Sequence, residues 1–554
     1  MVSSASVKPS IDRKKHYWWA GVILAGLGVT LVVFIFYLKT LAPTILPYDS
    51  PNLLDAPMLQ MQVCVLGMSH PTGYPSYLML SHLFTYLPVG DCAYRANLAS
   101  ATYAALAVSA LFGAGYLLSG RRVVAAASAA LAFGLGVTLW SQAVIAEVYT
   151  LNALFVALSL LTLLLWREYR KDRYLLLAAF LVGLSMTDHL TSGLLLPASV
   201  LFVALVEWAK LVEWRLVLKA AGLFVVGLTP YLYLPIRSAM DPPFIANNPT
   251  NFERFWYVVS GGNLRGGFFA FGPAELPDRL AFYWSYLLDN FNWGLVVAGL
   301  VGFVALILWD RAAAALFGFL FLGWLFHAIE NDIPDIDVYF IPTYLVVSLW
   351  IAVGIGLTLE RVESLLSRLR RISKPAALGA FSVALVLLPL VSVGKTYARN
   401  DMSHDYRGQK IIEAVAENAA PNATILQHRS ELWYMVLVEK HRRDLTLVDP
   451  FAHATDVRYA NLVWPDDEID LQAMNRRYGT GDSTGVSAAM KAASKGSVYL
   501  LDEEGIDPSN FRNAGFRAVR VAGSLFELIP PGDKRYVSER STRGGIRYSV
   551  RTRL

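Results

Sequence analysis

The sequence predicts a mainly α-helical, polytopic membrane protein with a C-terminal α/β domain. Only 16% of its 554 residues are charged, whereas soluble domains average about 25%. Apolar runs of about 18–24 residues, long enough to cross a bilayer, recur up to Val393 and then stop. From Lys395 onward, strand-like runs such as ATILQ, DLTLVDP and SVYLLD alternate with helix-like ones. Such alternation is typical of a soluble α/β domain, which we expect over residues 395–554, ending in a basic tail.

About eleven membrane-spanning helices are expected from these runs. The first, residues 17–41, is longer than the core of a signal peptide and lacks a small-residue cleavage site, so we expect it to be retained after a cytoplasmic tail, residues 1–15. The others are predicted near 93–118, 123–140, 143–166, 174–190, 190–207, 216–235, 289–308, 312–329, 338–359 and 375–394. Together they make up a membrane module over residues 16–394.

Basic residues indicate the orientation of these helices. The loops expected inside the cell hold, with the N-terminal tail, nineteen Lys and Arg, whereas those expected outside hold four. Cytoplasmic loops carry such an excess of positive charge. The net charge of +5 therefore reports topology, and we expect no nucleic-acid partner. The outer features are a first loop over 42–92, a long loop over 236–288 and the C-terminal domain, all on the extracytoplasmic side of the plasma (inner) membrane.

The first outer loop holds the candidate catalytic acids. Asp49 follows the first span, where a deprotonated carboxylate could take a proton from an attacking hydroxyl. A turn-capping role is the alternative, since Asp-Ser-Pro is also a turn signature. Asp55 is most simply the N-terminal acid of a helix DAPMLQMQV, with a second acid or a metal ligand as the alternative.

Next in the loop comes HPTGYP, residues 70–75, whose prolines and glycine predict a fixed turn. This turn presents His70 and Tyr74 either to the headgroup region or, as donors, to a phosphate or a sugar hydroxyl. Arg95 and Asn97 open the next span, and an arginine there is expensive unless it has a partner. Since guanidinium groups match phosphate geometry, we expect Arg95, with Arg237 of the long loop, to hold a donor phosphate.

Further polar residues fall at predicted outer helix ends, where they could bind substrate. They are Glu147, Tyr149, His189, Asp335, Asp337 and Tyr339. Asp188 and His189 occupy a hairpin, for which a turn role is the simpler interpretation. The acids between 332 and 337 could hold a divalent metal or sugar hydroxyls, or form a solvated loop. We expect no other cofactor, because the chain has neither a Walker-type motif nor a dinucleotide fingerprint.

The two cysteines, Cys64 and Cys92, exclude a disulfide framework and a thiolate zinc site. Two unpaired, mostly buried thiols are the simpler interpretation. A single disulfide is the alternative, because both residues flank the loop placed outside.

A family resemblance accompanies these residues. Asp49, then LGMSHPTGYPSYLMLSHLFTYLP, AYRANLASATYAALAV, WSQAVIAEVYTLNALF, GLSMTDHLTSGLLLPA, YLYLPIRS and DIDVYFIPTYLV follow one another in the chain. The set resembles the GT-C-like glycosyltransferase family that includes the animal transmembrane protein O-mannosyltransferase and bacterial relatives of unknown function. The resemblance covers about residues 45–360, since its motifs fall there in order, and is weaker in the C-terminal domain.

This resemblance implies an enzyme that moves a sugar from a polyprenyl-phosphate donor to a protein or glycan hydroxyl at the outer face of the membrane. Asp49 takes the position of the acid that serves such enzymes as base or as the group that orients the acceptor. The family often carries Asp-Ser-Gly-Glu there, whereas this chain has Asp49-Ser50-Pro51-Asn52 and lacks the second acid. Asp55 is the candidate replacement, and the expected reaction is an inverting transfer that needs no metal.

Two other functions compete with this interpretation. A flippase for lipid-linked sugars would use a similar number of spans, but polar residues here gather on one face and no inverted repeat is evident. An inactive assembly subunit with a GT-C-like fold would explain the missing second acid. Membrane lipids are expected partners in each case.

Overall fold

Helices dominate the protein, and its β-strands all lie near the C-terminus, as the fold class predicts. The computed structural model describes residues 13–48, 53, 55–240, 242–245, 249–262, 267–368, 374–428, 430–449, 483–502 and 508–533, so Asp49 lies outside the described residues. The helices are α1 Arg13–Thr40, α2 Ala56–Val65, α3 Pro75–His82, α4 Cys92–Leu118, α5 Val123–Gly134, α6 Val137–Ala143, α7 Tyr149–Tyr169, α8 Asp172–Met186, α9 Leu195–Glu207, α10 Ala209–Val212, α11 Trp214–Gly227, α12 Tyr233–Ala239, α13 Phe252–Val259, α14 Leu276–Asn290, α15 Trp293–Trp309, α16 Arg311–Ile329, α17 Ile341–Arg368, α18 Lys374–Leu387, α19 Val393–Asn400, α20 Arg407–Asn418, α21 Leu432–Leu437, α22 Ser483–Ala493 and α23 Pro508–Asn513. The strands are β1 Thr424–Leu426, β2 Thr446–Val448, β3 Val498–Leu501, β4 Arg517–Ala522 and β5 Leu525–Ile529.

The chain divides into two compact units, each assembled from separated segments. The first, called the helical unit, comprises Met1–Leu41, Ser100–Pro230 and Gly266–Asp401. The second, called the loop–sheet unit, comprises Ala42–Ala99, Tyr231–Arg265 and Met402–Leu554. The predicted first outer loop therefore belongs to the same compact unit as the C-terminal sheet.

The number of spans is somewhat lower than expected. Among the described residues, eight stretches are long and apolar enough to cross a membrane, and two bent helix pairs bring the number to at most ten. The pairs are α5 with α6, bent by 63°, and α14 with α15, bent by 111°. The predicted span 174–190 is wrong in this respect, because α8 has 15 residues and a crossing helix needs about 20.

Apolar side chains on these stretches are widely exposed, as a membrane protein requires. Leu24, Leu218 and Leu322 are 67%, 61% and 64% exposed. Leaving such a side chain in water forfeits roughly 1.5–3 kcal/mol, whereas lipid tails satisfy it. The protein is therefore a multi-pass membrane protein.

Glycines let α15 and α17 pack backbone to backbone within the helical unit. A methyl group built on Gly354 of α17 would overlap the carbonyl oxygen of Ala298, and one on Gly302 of α15 would overlap that of Trp350. Small residues at helix contacts permit this close approach in membranes, where packing drives association.

Replacing Gly354 with Ala should therefore destabilise the protein. Because the methyl group meets helix backbone, which cannot move alone, we expect a loss of about 1–3 kcal/mol. Gly318→Ala on α16 is the matched control, since a methyl group there meets no atom within 4 Å. Thermal unfolding in detergent, followed by circular dichroism, gives the unfolding midpoint of each variant and of wild type. Equal midpoints for Gly354→Ala and wild type would contradict the packing argument.

The loop–sheet unit holds a five-stranded sheet of order β2-β1-β3-β5-β4. β1 pairs in parallel with β2 and β3, placing Thr424 opposite Thr446 and Val498. β5 pairs antiparallel with β3 and β4. The predicted strands ATILQ, DLTLVDP and SVYLLD are confirmed, and the helix-like run between the first two contains the six-residue helix α21.

First-loop and C-terminal residues share one hydrophobic core in this unit. Ile45 and Met58 pack with Trp433 of α21 and with strand residues, all buried. Cys64 and Cys92 form a disulfide that joins the end of α2 to the start of α4, so the expectation of unpaired thiols is wrong. Local sequence could not settle the pairing, because it depends on how the loop folds back on α4.

Candidate active site

Three predicted site residues of the first loop meet: Asp55, just before α2, and His70 and Tyr74, after it. Asp55 is the N-cap residue of α2, as expected, but its side chain makes no capping bond, and its Oδ2 lies 3.4 Å from Nε2 of His70. The phenolic oxygen of Tyr74 lies 3.3 Å from the same nitrogen. An acid, an imidazole and a phenol in this arrangement can relay a proton or hold a phosphate or sugar oxygen.

The HPTGYP turn is confirmed, and its geometry explains why these groups converge. The Gly73 amide donates to the carbonyl of His70 over 2.6 Å, closing the turn. Gly73 has φ +85°, and a methyl group there would crowd the side chain of Leu234, so glycine suits both backbone and space. Pro75 then starts α3, where its missing amide hydrogen costs nothing.

The predicted phosphate ligand Arg237 is fixed by main-chain oxygens at the end of α2. Its Nε donates to the carbonyl of Leu66 over 2.8 Å, and its Nη2 to that of Val65 over 3.1 Å. Because a helix C-terminus carries partial negative charge, this contact holds the guanidinium group in place. Its orientation is therefore set by protein before any ligand binds.

Arg95 likewise donates to main-chain carbonyls, at the C-terminal end of the first loop. Its Nε donates to the carbonyl of Asp91 over 2.9 Å, and its Nη1 donates to those of Thr85 and Leu87. The carboxylate of Asp91 accepts from the hydroxyl of Thr44 and from the amide of Tyr94. Arg95 thus ties the end of the loop to α4.

Asn97 is occupied by protein partners. It is fully buried, its Nδ2 donates to the carbonyl of Ala42 over 3.0 Å, and its Oδ1 accepts from Gln60 over 2.9 Å. Gln60 in turn accepts from the amide of Leu46. The network fixes residues 42–46 against α2 and α4, so the Asn97 side chain has a structural role in this part of the loop.

In the helical unit, four predicted residues from three separate stretches form one cluster. The phenolic oxygen of Tyr149 donates to Oδ2 of Asp335 over 3.2 Å. The rings of Tyr149, His189 and Tyr339 pack against one another with centroids 5.2–5.6 Å apart. Tyr149 and His189 are buried. A wall of ring faces with a carboxylate and an imidazole suits a sugar, which offers both apolar faces and hydroxyl groups.

Two further residues of this region, one not predicted and one assigned only a turn role, belong with the cluster. His327 packs on Tyr339 with ring centroids 6.0 Å apart, and its position near the end of an apolar helix was the available signal. Asp188, expected in a simple turn, is fully buried, and neither carboxyl oxygen has a hydrogen-bond partner among the described residues. A buried unsatisfied carboxyl is expensive, which makes Asp188 a candidate ligand for a substrate hydroxyl.

Two predicted residues, Glu147 and Asp337, lie within two residues of cluster members in the sequence. Glu147 is buried, and its main-chain amide donates to the hydroxyl of Ser100 over 3.1 Å. Asp337 is half-buried on the turn Ile336–Phe340. Among the described residues, no three His, Cys, Asp or Glu side chains are grouped to hold a metal ion. The acids between 332 and 337 therefore do not form the metal-binding cluster considered as an alternative.

A buried carboxyl of the C-terminal domain lies beside the residue that precedes Asp49. Oε2 of Glu431 accepts from the amide of Tyr48 over 3.4 Å. Glu431 is fully buried, and burial raises the pKa of its carboxyl to about 7. It is thus poised to change charge near neutrality.

This shift predicts a pH dependence of stability. Because the folded protein binds the Glu431 proton more tightly than the unfolded chain, its stabilisation is complete below the unfolded pKa and is lost as pH rises through about 7. Glu431→Gln should flatten this decline between roughly pH 4.5 and 7. Thermal unfolding of both proteins across that range measures it, with Glu417→Gln on the exposed side of α20 as control. An unchanged slope in Glu431→Gln would contradict the assignment.

Comparisons with known proteins place these features in context. Residues 55–212 match the family model of the Protein O-mannosyl-transferase TMEM260 N-terminal domain. The chain is 31% identical over 232 residues to the Protein O-mannosyl-transferase TMEM260 of Mus musculus, covering 40% of this chain and 32% of that protein. It is 22% identical over 482 residues to the corresponding protein of Dictyostelium discoideum, covering 77% and 58%. The chain thus spans less than two thirds of either relative.

Two solved structures share the fold. ArnT from Cupriavidus metallidurans bound to undecaprenyl phosphate superposes with a TM-score of 0.59 at 12% identity, covering 92% of this chain and 98% of that one. The Archaeoglobus fulgidus oligosaccharyltransferase tethered with an acceptor peptide gives 0.50 at 12% identity, covering 86% and 68%. The predicted resemblance is therefore confirmed: the chain is similar in sequence over residues 55–212 to the N-terminal domain of the transmembrane protein O-mannosyltransferases, and it is similar in fold over 92% of its length to ArnT.

Proposed function

We propose that this protein is a membrane glycosyltransferase that moves a sugar from a polyprenyl-phosphate donor to a hydroxyl group of an acceptor protein or glycan at the outer face of the membrane. The observation that carries the proposal is the cluster of Tyr149, His189, Asp335 and Tyr339. These side chains come from separate helix ends and build one ring-lined, polar site suited to a sugar. The names of the curated relatives favour a protein acceptor and mannose.

The reaction is a single displacement with inversion. Asp49 takes the proton of the acceptor hydroxyl, whose oxygen attacks the anomeric carbon. The bond between that carbon and the phosphate oxygen breaks, and the polyprenyl phosphate leaves with the electron pair. Asp49 then returns its proton to solvent. Asp55 is the alternative base, since it lies in the same loop and contacts His70.

Arg237 and Arg95 stabilise the departing phosphate, with His70 as an additional donor. Both guanidinium groups are held by main-chain carbonyls, so they need little reorganisation when charge develops on the leaving group. The solved structure of ArnT with undecaprenyl phosphate supports a donor of this chemical class. The excess of basic residues in the predicted inner loops supports a site on the extracytoplasmic side.

A donor panel tests this function. Purified protein in liposomes is mixed with a panel of radiolabelled polyprenyl-phosphate monosaccharides, mannose among them, and with host membrane proteins as acceptors. Label in a protein product with one donor is the expected result. Absence of any non-lipid product from every donor would overturn the proposal.

A further inference from the structure

The C-terminal domain contains a histidine–carboxylate pair at the edge of its sheet. His428 follows β1 and Asp449 follows β2, and the parallel pairing of these strands brings both residues to one sheet edge. Nδ1 of His428 lies 3.0 and 3.1 Å from the two oxygens of Asp449. The Asp449 side chain is 1% exposed and the imidazole 21%. A buried carboxylate therefore orients a ring that a ligand can reach.

The pair lies next to Tyr48, the residue that precedes Asp49 in the sequence. The ring of Tyr48 meets the ring of His428 edge-on, with centroids 5.3 Å apart, and the Tyr48 amide donates to Glu431. Since Asp49 is bonded to Tyr48 in the chain, side chains of the C-terminal domain fix the main chain that leads to the proposed base. All of these residues belong to the loop–sheet unit.

Two buried polar atoms beside the pair are unsatisfied. Among the described residues, neither Oε1 of Glu431 nor Nε2 of Gln427 has a hydrogen-bond partner, although both side chains are fully buried. Leaving such an atom unpaired costs about 1–3 kcal/mol. The loop after β1 therefore carries a donor and an acceptor that a bound polar group would satisfy. Ligands of α/β domains commonly bind at the carboxyl ends of parallel strands.

We propose that His428, oriented by Asp449, binds the acceptor hydroxyl, and that the loop after β1 is the acceptor-binding part of the transfer site. With the protein acceptor of the proposed function, that hydroxyl belongs to a serine or threonine side chain. This inference rests on the proposed function, whose acceptor it assigns to named residues. Glu431 acts as a positioning residue through Tyr48.

The chemistry follows from the tautomer. A carboxylate at Nδ1 keeps the proton on that nitrogen, which makes Nε2 the hydrogen-bond acceptor of the neutral ring. Nε2 then accepts from the hydroxyl hydrogen and orients the oxygen lone pair for attack. Before the transfer step the hydroxyl hydrogen turns from Nε2 to Asp49, which takes the proton as the oxygen attacks, so His428 positions the nucleophile and Asp49 remains the base.

Peptide binding to the full chain in lipid nanodiscs tests this assignment. The probes are a fluorescent library of N-acetylated peptides with a central Thr and the same library with Val. The variants are His428→Ala and Asp449→Asn, with His441→Ala, an exposed histidine of the same unit, as control. Binding of a short-chain polyprenyl-phosphate mannose is measured in parallel and reports that each variant is folded.

We expect wild type and His441→Ala to bind the Thr library about tenfold more tightly than the Val library, because one good hydrogen bond contributes about this much to affinity. His428→Ala and Asp449→Asn should lose this preference while still binding the donor. A Thr preference that survives in both variants, or that wild type lacks, overturns the inference. Sugar transfer is assayed separately. If His428→Ala transfers sugar as fast as wild type, the inference is overturned and the proposed function stands. If the Thr preference depends on His428 but wild type transfers no sugar, the proposed function is overturned and the inference stands.

Discussion

Asp49→Asn is expected to lower the rate of sugar transfer by about 10²–10⁴-fold, the contribution of a positioned general base. Asparagine has the same shape but cannot accept the proton of the acceptor hydroxyl. Donor binding should be little changed, because the proposed phosphate ligands are Arg237 and Arg95. The measurement is initial-rate transfer at saturating donor, with donor affinity determined separately.

Asp55→Asn is the matched control, since it removes another carboxylate of the same loop. We expect a smaller effect on rate, through the contact of Asp55 with His70. If Asp55→Asn abolished transfer while Asp49→Asn remained active, the base would be Asp55 and the assignment of Asp49 would be wrong.

Arg237→Ala is expected to lower kcat/KM by about 10²–10³-fold, which is typical of removing one group that stabilises developing negative charge. The loss has two physical sources. The leaving phosphate loses a cation, and the carbonyls of Val65 and Leu66 lose their donors. Arg237→Lys keeps the charge but not the planar fork, so it should give an intermediate rate.

Arg254→Ala provides the control for charge alone. Arg254 is an exposed residue of α13 in the same unit, and its removal should leave kcat/KM within about twofold, as expected of a screened surface charge. The three variants and wild type are compared by initial rates over a range of donor concentrations. Equal losses in Arg237→Ala and Arg254→Ala would show that general electrostatic attraction, and no specific contact, explains the effect.

Local pattern was sufficient for much of the fold. Long apolar runs marked the spans because a bilayer imposes a minimum length, and alternating runs marked β1, β2 and β3. It failed where geometry depends on distant partners. The length of α8 and the 111° bend between α14 and α15 could not be seen in hydropathy, which measures composition and not direction.

The positions of some site residues could likewise be predicted from the predicted helices. Tyr149, His189 and Tyr339 each lie at a helix end predicted to face outward, and helix ends on one face can meet. The disulfide of Cys64 with Cys92 was an open alternative that the sequence could not decide, and the Asp449 carboxylate behind His428 was not predicted. Each needs two residues brought together by the folding of the loop–sheet unit, and nothing in either local sequence specifies the other.

The stoichiometry of product formation tests the central claim most directly. Wild-type protein in sealed liposomes receives one doubly labelled polyprenyl-phosphate sugar, and both released polyprenyl phosphate and hydroxyl-linked sugar are quantified. The proposed reaction predicts one molecule of polyprenyl phosphate released for each sugar attached to protein. Intact sugar lipid appearing in the opposite leaflet, with no polyprenyl phosphate released, would contradict a transferase and indicate a flippase.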